Sequence, residues 1–422
     1  MKVWLFQSGE PLHIDKGNPR PMRAMNLSNA LVAAGHQVVV WSAAFHHLEK
    51  RHRSRVAATY KVNDLLEICL IPSIGYRKNI GIGRLIDHAQ MAWNLRRMVR
   101  QETALPDVAF IGYPPIETAA FLAPWLACQG VPILLDVKDQ WPKLFLEAFP
   151  QHLRAAGTLL LAPYFGLARR AMKAATGISA MADGYVDWAT RFAGRNRNAF
   201  DAVFPLTSPM SRISQAELEE ARQWRAKMGF AKEGDTRILF VGTFMSVFDF
   251  GPVSEAAKRL LENGNKAQFI LCGDGGFVKG VREIMAGLTN VHFPGWVDRP
   301  KVEALAECSH AMVAPYLNIE NFTMNIPNKI IDAFAFGLPI LCPLEGEVAD
   351  LISDYDVGLG YGGTAGRSLY DCIQILFEAP EMRDRMSRNA LELHRGKYTY
   401  EKVYGGLVVH LERMAASGGK LQ

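Results

Sequence analysis

Short apolar runs rich in β-branched and aromatic residues alternate with helix-length amphipathic stretches through both halves of the chain. That alternation limits the fold more than any other feature. Runs at 3–6, 38–41, 66–71, 108–111, 133–135 and 177–179 read as strands with helices between most of them, the pattern of βαβ units and parallel sheets. The pattern breaks at 204–209, passes through a polar helix-like stretch at 214–227, and resumes with strands at 238–241, 267–272, 291–293, 311–314 and 339–342. A chain of 422 residues exceeds what one core organises, so two domains are expected. The expected division is an N-terminal α/β domain over 1–205, a linker over 206–235, a second α/β domain over 236–400, and a C-terminal helix over 401–422 that returns to the first. Gly35 reads as the left-handed end of the first helix. Two doubly wound domains in tandem place their parallel sheets on either side of an interdomain cleft, with ligands at the C-terminal ends of the strands.

With 49% hydrophobic and 21% charged residues, the chain is expected to fold throughout. Its six cysteines form no C-x-x-C and mostly sit in apolar runs, which fits a reducing compartment. Residues 1–6 are too short an apolar stretch for a signal peptide, and 155–168 is broken by Pro163, so a cytoplasmic protein without a membrane span is expected. Charge is uneven: 24 Lys and Arg against 15 Asp and Glu up to Pro205, then 23 against 27. The first half therefore suits an anionic surface or substrate, with a solvated basic face as the alternative. Two basic-apolar stretches, 84–100 and 154–173, combine Trp93, Leu95, Leu159, Leu160, Leu161, Tyr164 and Phe165 with Arg96, Arg97, Arg100, Arg169, Arg170 and Lys173. They suit peripheral attachment to the inner face of the cytoplasmic membrane, with helix packing as the alternative.

The stretch 327–341, Pro-Asn-Lys-Ile-Ile-Asp-Ala-Phe-Ala-Phe-Gly-Leu-Pro-Ile-Leu, reads as turn, helix, turn and buried strand. A helix starting near Asn328 aims backbone N–H groups and its positive dipole end at the cleft, which suits a diphosphate. Lys329 adds a cation and Asp332 an acceptor for ribose hydroxyls; the alternative is that both serve only the helix. Lys138 and Asp139, just after the strand at 133–135, are candidates for the chemistry with Lys329. Asp15, Lys16, Gly17, Asn18, Arg20 and Arg23 lie between the first strand and first helix, where Gly17 allows close approach and Arg20 or Arg23 could reach phosphate.

This 327–341 stretch resembles the C-terminal signature of the GT4 family of retaining glycosyltransferases, in which an acidic residue and an A-x-G-x-P turn follow a phosphate-binding loop. Other segments are similar to that family in the same order. Gly242, Thr243 and Phe244 look like its opening nucleotide loop, Gly273, Asp274 and Gly275 its G-x-G strand end, and Trp296 and Val297 its G-W-V turn. Asp332 matches the acidic residue on the donor ribose, and Asn325 and Asn328 fall in the same donor loop. Leu135-Asp136-Val137-Lys138-Asp139-Gln140-Trp141-Pro142 resembles the D-x-R-D-x-W-P segment of bacterial transferases that build O-antigen and capsule units, with Lys138 for arginine. Residues 15–23 fall where the family has its acceptor-side glycine loop. The chain departs from the family twice: Met324 stands at the earlier acidic position, and residues 243–252 lack the usual basic pair.

The resemblance covers nearly the whole chain. It implies the α/β GT-B fold with two Rossmann-like domains, and a retaining transferase that moves a sugar from a nucleotide diphosphate sugar, UDP-linked, to a lipid-linked or saccharide acceptor in surface-polysaccharide assembly. The nucleotide sugar is a substrate; no cofactor, metal or nucleic acid is expected. A nucleotide-sugar epimerase of the same plan and a membrane-associated scaffold with a decayed donor site remain as alternatives. A dinucleotide-binding dehydrogenase fits less well, because neither 81–83 nor 273–276 completes G-x-G-x-x-G.

Overall fold

The computed structural model describes residues 1–17, 19–78, 81–207, 213–229 and 235–418. It divides into two compact units, Met1–Pro205 with Glu401–Gln422, and Leu206–Tyr400. Two sheets carry them, and both grow from continuous apolar runs of the kind that can be buried on both faces.

The first unit contains strands β1 (Lys2–Phe6), β2 (Gln37–Ala43), β3 (Phe45–His46), β4 (Arg51–His52), β5 (Ala58–Lys61), β6 (Leu66–Ile71), β7 (Val108–Tyr113), β8 (Ile133–Val137), β9 (Gly177–Ala180) and β10 (Ala202–Val203). Its main sheet has the order β10-β9-β8-β7-β1-β2-β6-β5. All neighbours are parallel except β5, which lies antiparallel on the edge beside β6. The six residues of β7 are buried without alternation, as a central parallel strand requires. The polar Ala58–Lys61, mostly exposed, suits an edge. From β1 the chain winds outward through β2 to β6, then crosses back to place β7 on the other side of β1. The loops after β1 and β7 therefore part, leaving a crevice at the strand ends.

The first helix, Arg23–Ala33, ends as its sequence suggests: Gly35 has φ +81°. Its N–H bonds the Val32 carbonyl while His36 N–H bonds that of Leu31, a Schellman pair. The last helix, Gly406–Ala416, packs in this unit, where His36 Nε2 lies 2.8 Å from Glu412 Oε1 and His410 Nε2 3.1 Å from the Phe200 carbonyl oxygen.

The second unit contains β11 (Thr236–Val241), β12 (Ala267–Cys272), β13 (Val291–Gly295), β14 (Ala311–Val313), β15 (Ile340–Cys342) and β16 (Gly358–Gly360), in the order β13-β12-β11-β14-β15-β16, all parallel. The crossover falls between β11 and β14, so the crevice of this unit opens there. Helix Gln215–Met228, from the stretch expected as a linker, starts with a Ser214/Glu217 capping box. It packs Leu218 and Ala221 on Ala304, and Arg222 holds Glu307 through bonds of 2.9 and 2.6 Å.

Candidate functional site

Each unit has a crevice at its crossover, and most of the chemically equipped residues gather at one or the other.

In the second unit, the loops after β11, β12 and β13 are laced together by main-chain bonds. Gly242 N–H donates to the Cys272 carbonyl at 3.0 Å, Phe244 N–H to that of Asp274 at 2.9 Å, and Gly273 N–H to that of Gly295 at 2.7 Å. Such spacing excludes side chains. A Cβ on Gly273 would collide with the Gly242 carbonyl oxygen, and one on Gly275 with the Phe244 backbone; both glycines have φ above +130°. The result is an edge of bare backbone at the strand ends.

Helix Asn328–Ala335 begins after Pro327, with no side-chain cap and no acidic residue in its first turn. Lys329, in that turn, reaches across to the loop after β11. Its Nζ donates to the Val241 carbonyl at 2.6 Å, lies 4.9 and 5.2 Å from the Phe240 and Phe248 ring centroids, and fills the space a Cβ on Gly242 would need. A cation thus reaches the first loop from another element, although residues 243–252 contain no Lys or Arg. Asp332 is half-buried one turn on, close enough to Tyr316 and His394 to act on their charge states.

The remaining donor-side residues divide. Thr243, Asp274 and Asn328 are exposed, and Trp296 is 74% exposed. Phe244, by contrast, is a core residue packed on Phe240 and Phe250, and Val297 is buried. Asn325 is also buried, its Oδ1 accepting from Ile326 N–H at 2.7 Å. These three shape the loops from within. Met324 closes the short helix Glu320–Thr323.

In the first unit, a cavity of about 210 Å³ occupies the crevice between the loops after β1 and β7. Gln7, Glu10, His47, Tyr76, Arg84, Asp87, His88, Pro114, Lys138 and Asp139 are among its walls. Lys138, at the end of β8, forms an ion pair with Glu10 Oε1, while Glu10 Oε2 accepts from Ala24 N–H at 2.9 Å. Asp87 accepts from Gly75 N–H at 2.6 Å. Among the described residues no donor is hydrogen-bonded to Asp139. Removal from water pushes its pKa up to about 6, although Lys138 and Arg84 pull the other way. The Arg84 guanidinium lies 4.7 Å from the Trp141 ring and 5.6 Å from Tyr76. His47 bonds the Tyr76 hydroxyl; burial, then Lys50 and Arg84, lower its pKa to about 4, so it is neutral at pH 7. His88 sits against Glu117, which in turn accepts from the Tyr164 hydroxyl at 2.8 Å.

The loop between β1 and the first helix does not act as its composition suggests. Arg23 is 2% exposed and points inward: it donates to the Phe204 carbonyl at 2.6 Å and lies 3.4 Å from Asp136. It therefore does not face a phosphate. Asp15 is taken up by Arg53 through two bonds of 2.7 Å. Burial raises its pKa, but Arg53 and the Leu12 N–H outweigh this and hold it below the usual carboxylate range. Lys16, Gly17 and Arg20 are exposed, and Asn18 lies outside the described residues. Glu10, Arg84 and His88 belong to no motif of the sequence, although Glu10 follows the first strand of a doubly wound sheet, where such sheets place ligands. Arg84 and His88 share a helix with a basic-apolar stretch whose composition points outward; Leu95 in that stretch is fully buried.

Among the described residues no group of three or more His, Cys, Asp or Glu is placed to hold a metal ion, and no helix is long and apolar enough to cross a membrane.

Residues 222–393 match the model of the family described as glycosyl transferases group 1, so the second unit carries a domain of that kind. A curated relative, the α-D-kanosaminyltransferase of Streptomyces kanamyceticus, is 23% identical over 183 residues; the match covers 43% of this chain and less than half of that enzyme, 46%. Among solved structures, sucrose-phosphate synthase from Thermosynechococcus elongatus superposes with a TM-score of 0.71 at 13% identity, over 99% of both chains. Anabaena Alr3699/HepE in complex with UDP gives 0.64 at 14% identity, over 98% of this chain and 99% of that one. WaaG, a glycosyltransferase involved in lipopolysaccharide biosynthesis, gives 0.62 at 14%, over 97% and 99%. The fold is therefore GT-B, with two Rossmann-like units.

Proposed function

We propose that the chain, carrying a glycosyl transferases group 1 domain over residues 222–393, transfers a hexose from a UDP-linked donor to a lipid-linked or saccharide acceptor, with retention of configuration, in surface-polysaccharide assembly at the inner face of the cytoplasmic membrane. One observation carries this reading: the bare glycine edge of β11–β13, met by the helix start at Asn328 and by Lys329. A diphosphate is a bulky anion that needs close backbone approach, the positive end of a helix and a cation, and this edge offers those together. The UDP complex of HepE and the lipopolysaccharide role of WaaG support the finer parts, as does the match of Asp332 to a ribose-binding acid.

In this reading the first unit takes the acceptor in its cavity. The acceptor oxygen bonds the anomeric carbon on the same face from which the diphosphate departs, so that configuration is kept; the hydroxyl proton goes to the Asp139 carboxylate, the bond from that carbon to the diphosphate breaks, and its electron pair leaves on the diphosphate. Lys329 and the helix dipole oppose the charge that develops there. Lys138, held by its ion pair with Glu10, sets a cation beside Asp139 that favours its carboxylate form. Metal chemistry has no part in the reading.

The test is incubation with UDP-glucose, UDP-galactose, UDP-N-acetylglucosamine and GDP-mannose together with cell-envelope glycolipids. Release of nucleoside diphosphate coupled to a new glycoside of the donor's anomeric configuration is expected. Conversion of the donor to free nucleotide and an altered free sugar, with no glycoside formed, would contradict it.

A further inference from the structure

The first unit carries apolar side chains that its core does not take up, and they gather beside one opening. On the helix Ile82–Val99, Asp87, His88 and Met91 turn into the cavity, while Ile82 is 75% and Ile86 53% exposed. On the other side, the Trp141 ring beneath Arg84 packs on Phe145 at 4.6 Å, and Phe145 on Tyr164 at 6.2 Å. Tyr164 reaches Glu117 beside the cavity's His88. Just before Tyr164, the helix Arg154–Leu160 leaves Leu159 79% and Leu160 71% exposed. Two apolar ridges from separate parts of the sequence thus flank the cavity that holds Asp139.

Exposed leucines and isoleucines grouped in this way are costly in water and mark a surface that something covers. The neighbouring charge says what. Residues 74–100 hold six Lys or Arg against one acidic residue, Asp87, which is buried; residues 149–174 hold four and no acidic residue. Trp93, 61% exposed with Arg96 6.0 Å from its ring, continues the first ridge. Apolar residues flanked by one-signed cations match an anionic lipid interface, where the side chains enter the acyl boundary and the cations meet phosphates.

We infer that the two ridges dock on an anionic bilayer and hold the mouth of the Asp139 cavity at its surface, so that the acceptor arrives as a lipid-linked sugar and not as a free saccharide. This rests on the reading of the first unit as the acceptor unit and decides between the two acceptor classes left open above. Docking itself needs no turnover, so the two can fail separately: vesicle binding without sugar transfer would sink the transfer reading alone.

The experiment is co-sedimentation of the full chain with sucrose-loaded vesicles of phosphatidylcholine, with and without phosphatidylglycerol. The wild type is expected to pellet with the anionic vesicles, to weaken as salt rises, and to keep a salt-resistant remainder from its apolar contacts. The variant Ile82→Ser, Ile86→Ser, Leu159→Ser, Leu160→Ser should bind on the order of 10-fold or more weakly, while its UDP affinity and melting temperature stay at wild-type values, as expected for exposed positions. Arg96→Glu with Arg97→Glu should lower the salt-sensitive part alone. A wild type that stays in solution with anionic vesicles, or a serine variant that pellets equally well, overturns the inference. So does a concentration-dependent dimer in sedimentation velocity that the serine changes abolish, which would give the ridges to a second copy of the chain.

Discussion

Asp139→Asn is expected to remove sugar transfer and, at the same time, to make the protein more stable above pH 6. The two effects have one origin. Asp139 is withdrawn from water at the end of β8, and its pKa stands at about 6 against an ordinary value near 3.8. As pH rises from about 4 to 6, an unfolded chain ionises this group while the folded protein still holds the proton. The folded state therefore loses stability across that window and stays at the lower level above it. Two pKa units correspond to about 3 kcal/mol at most; because the asparagine amide also loses water on burial, a gain on the order of 1–2 kcal/mol is expected for the asparagine variant at pH 7.5. Loss of the base should lower kcat by about 10²-fold or more, and the wild-type profile should fall below about pH 6 as the carboxylate takes up its proton. Thermal melts at pH 4.5 and 7.5 with matched rates check both halves. A variant that is destabilised at pH 7.5 would contradict the raised pKa of Asp139, and one that keeps its turnover would remove Asp139 from the reaction.

The largest loss of stability is expected at Arg23, which is not a ligand-binding residue in this structure. Its guanidinium is buried, with Asp136 on one side and the Phe204 carbonyl on the other. Asp136 is anchored further by the Ser179 hydroxyl at 2.9 Å, so the group ties the first helix to β8, β9 and the chain leaving β10. Arg23→Met would leave the Asp136 carboxylate buried without a cation, which costs about 3–5 kcal/mol. Adding Asp136→Asn should restore part of that, because the orphaned charge is then gone. Urea unfolding followed by tryptophan fluorescence reads this, since six of the eight tryptophans lie in the first unit. A loss below about 1 kcal/mol for the single variant would mean that water reaches Asp136.

The strands were legible because their signal is local. Runs such as 108–111 and 267–272 are too apolar and too short to be anything but buried parallel strands, and each marks a strand of the structure. Gly358–Gly360 and Ala202–Val203 carried no such signal: three or two small residues acquire strand geometry only from the neighbours they pair with. The antiparallel edge strand Ala58–Lys61 is polar for the same reason that it is hard to see, having little to bury. Among the candidate residues, the glycine edge was visible because Gly273 and Gly275 stand where strands end. Arg23 misled because an arginine near a glycine loop reads as a phosphate ligand, whereas burial, which composition does not reveal, turned it inward. The path of Lys329 back to the loop after β11 depends on the packing of two elements nearly ninety residues apart, a relation no local pattern encodes.

The central claim, that the glycine edge of the second unit holds the diphosphate of a nucleotide sugar, is tested most directly by calorimetric titration of UDP into the wild type, Gly275→Val and Asp332→Ala. The account predicts saturable binding to the wild type. Binding should be lost in Gly275→Val, whose side chain would collide with the Phe244 backbone and force apart the loops after β11 and β12, and weakened about 10-fold or more in Asp332→Ala through loss of a hydrogen-bond acceptor, with both variants keeping the wild-type circular dichroism spectrum. Equal UDP affinity in all three proteins, or no binding to the wild type by UDP, GDP or their sugars, would contradict it.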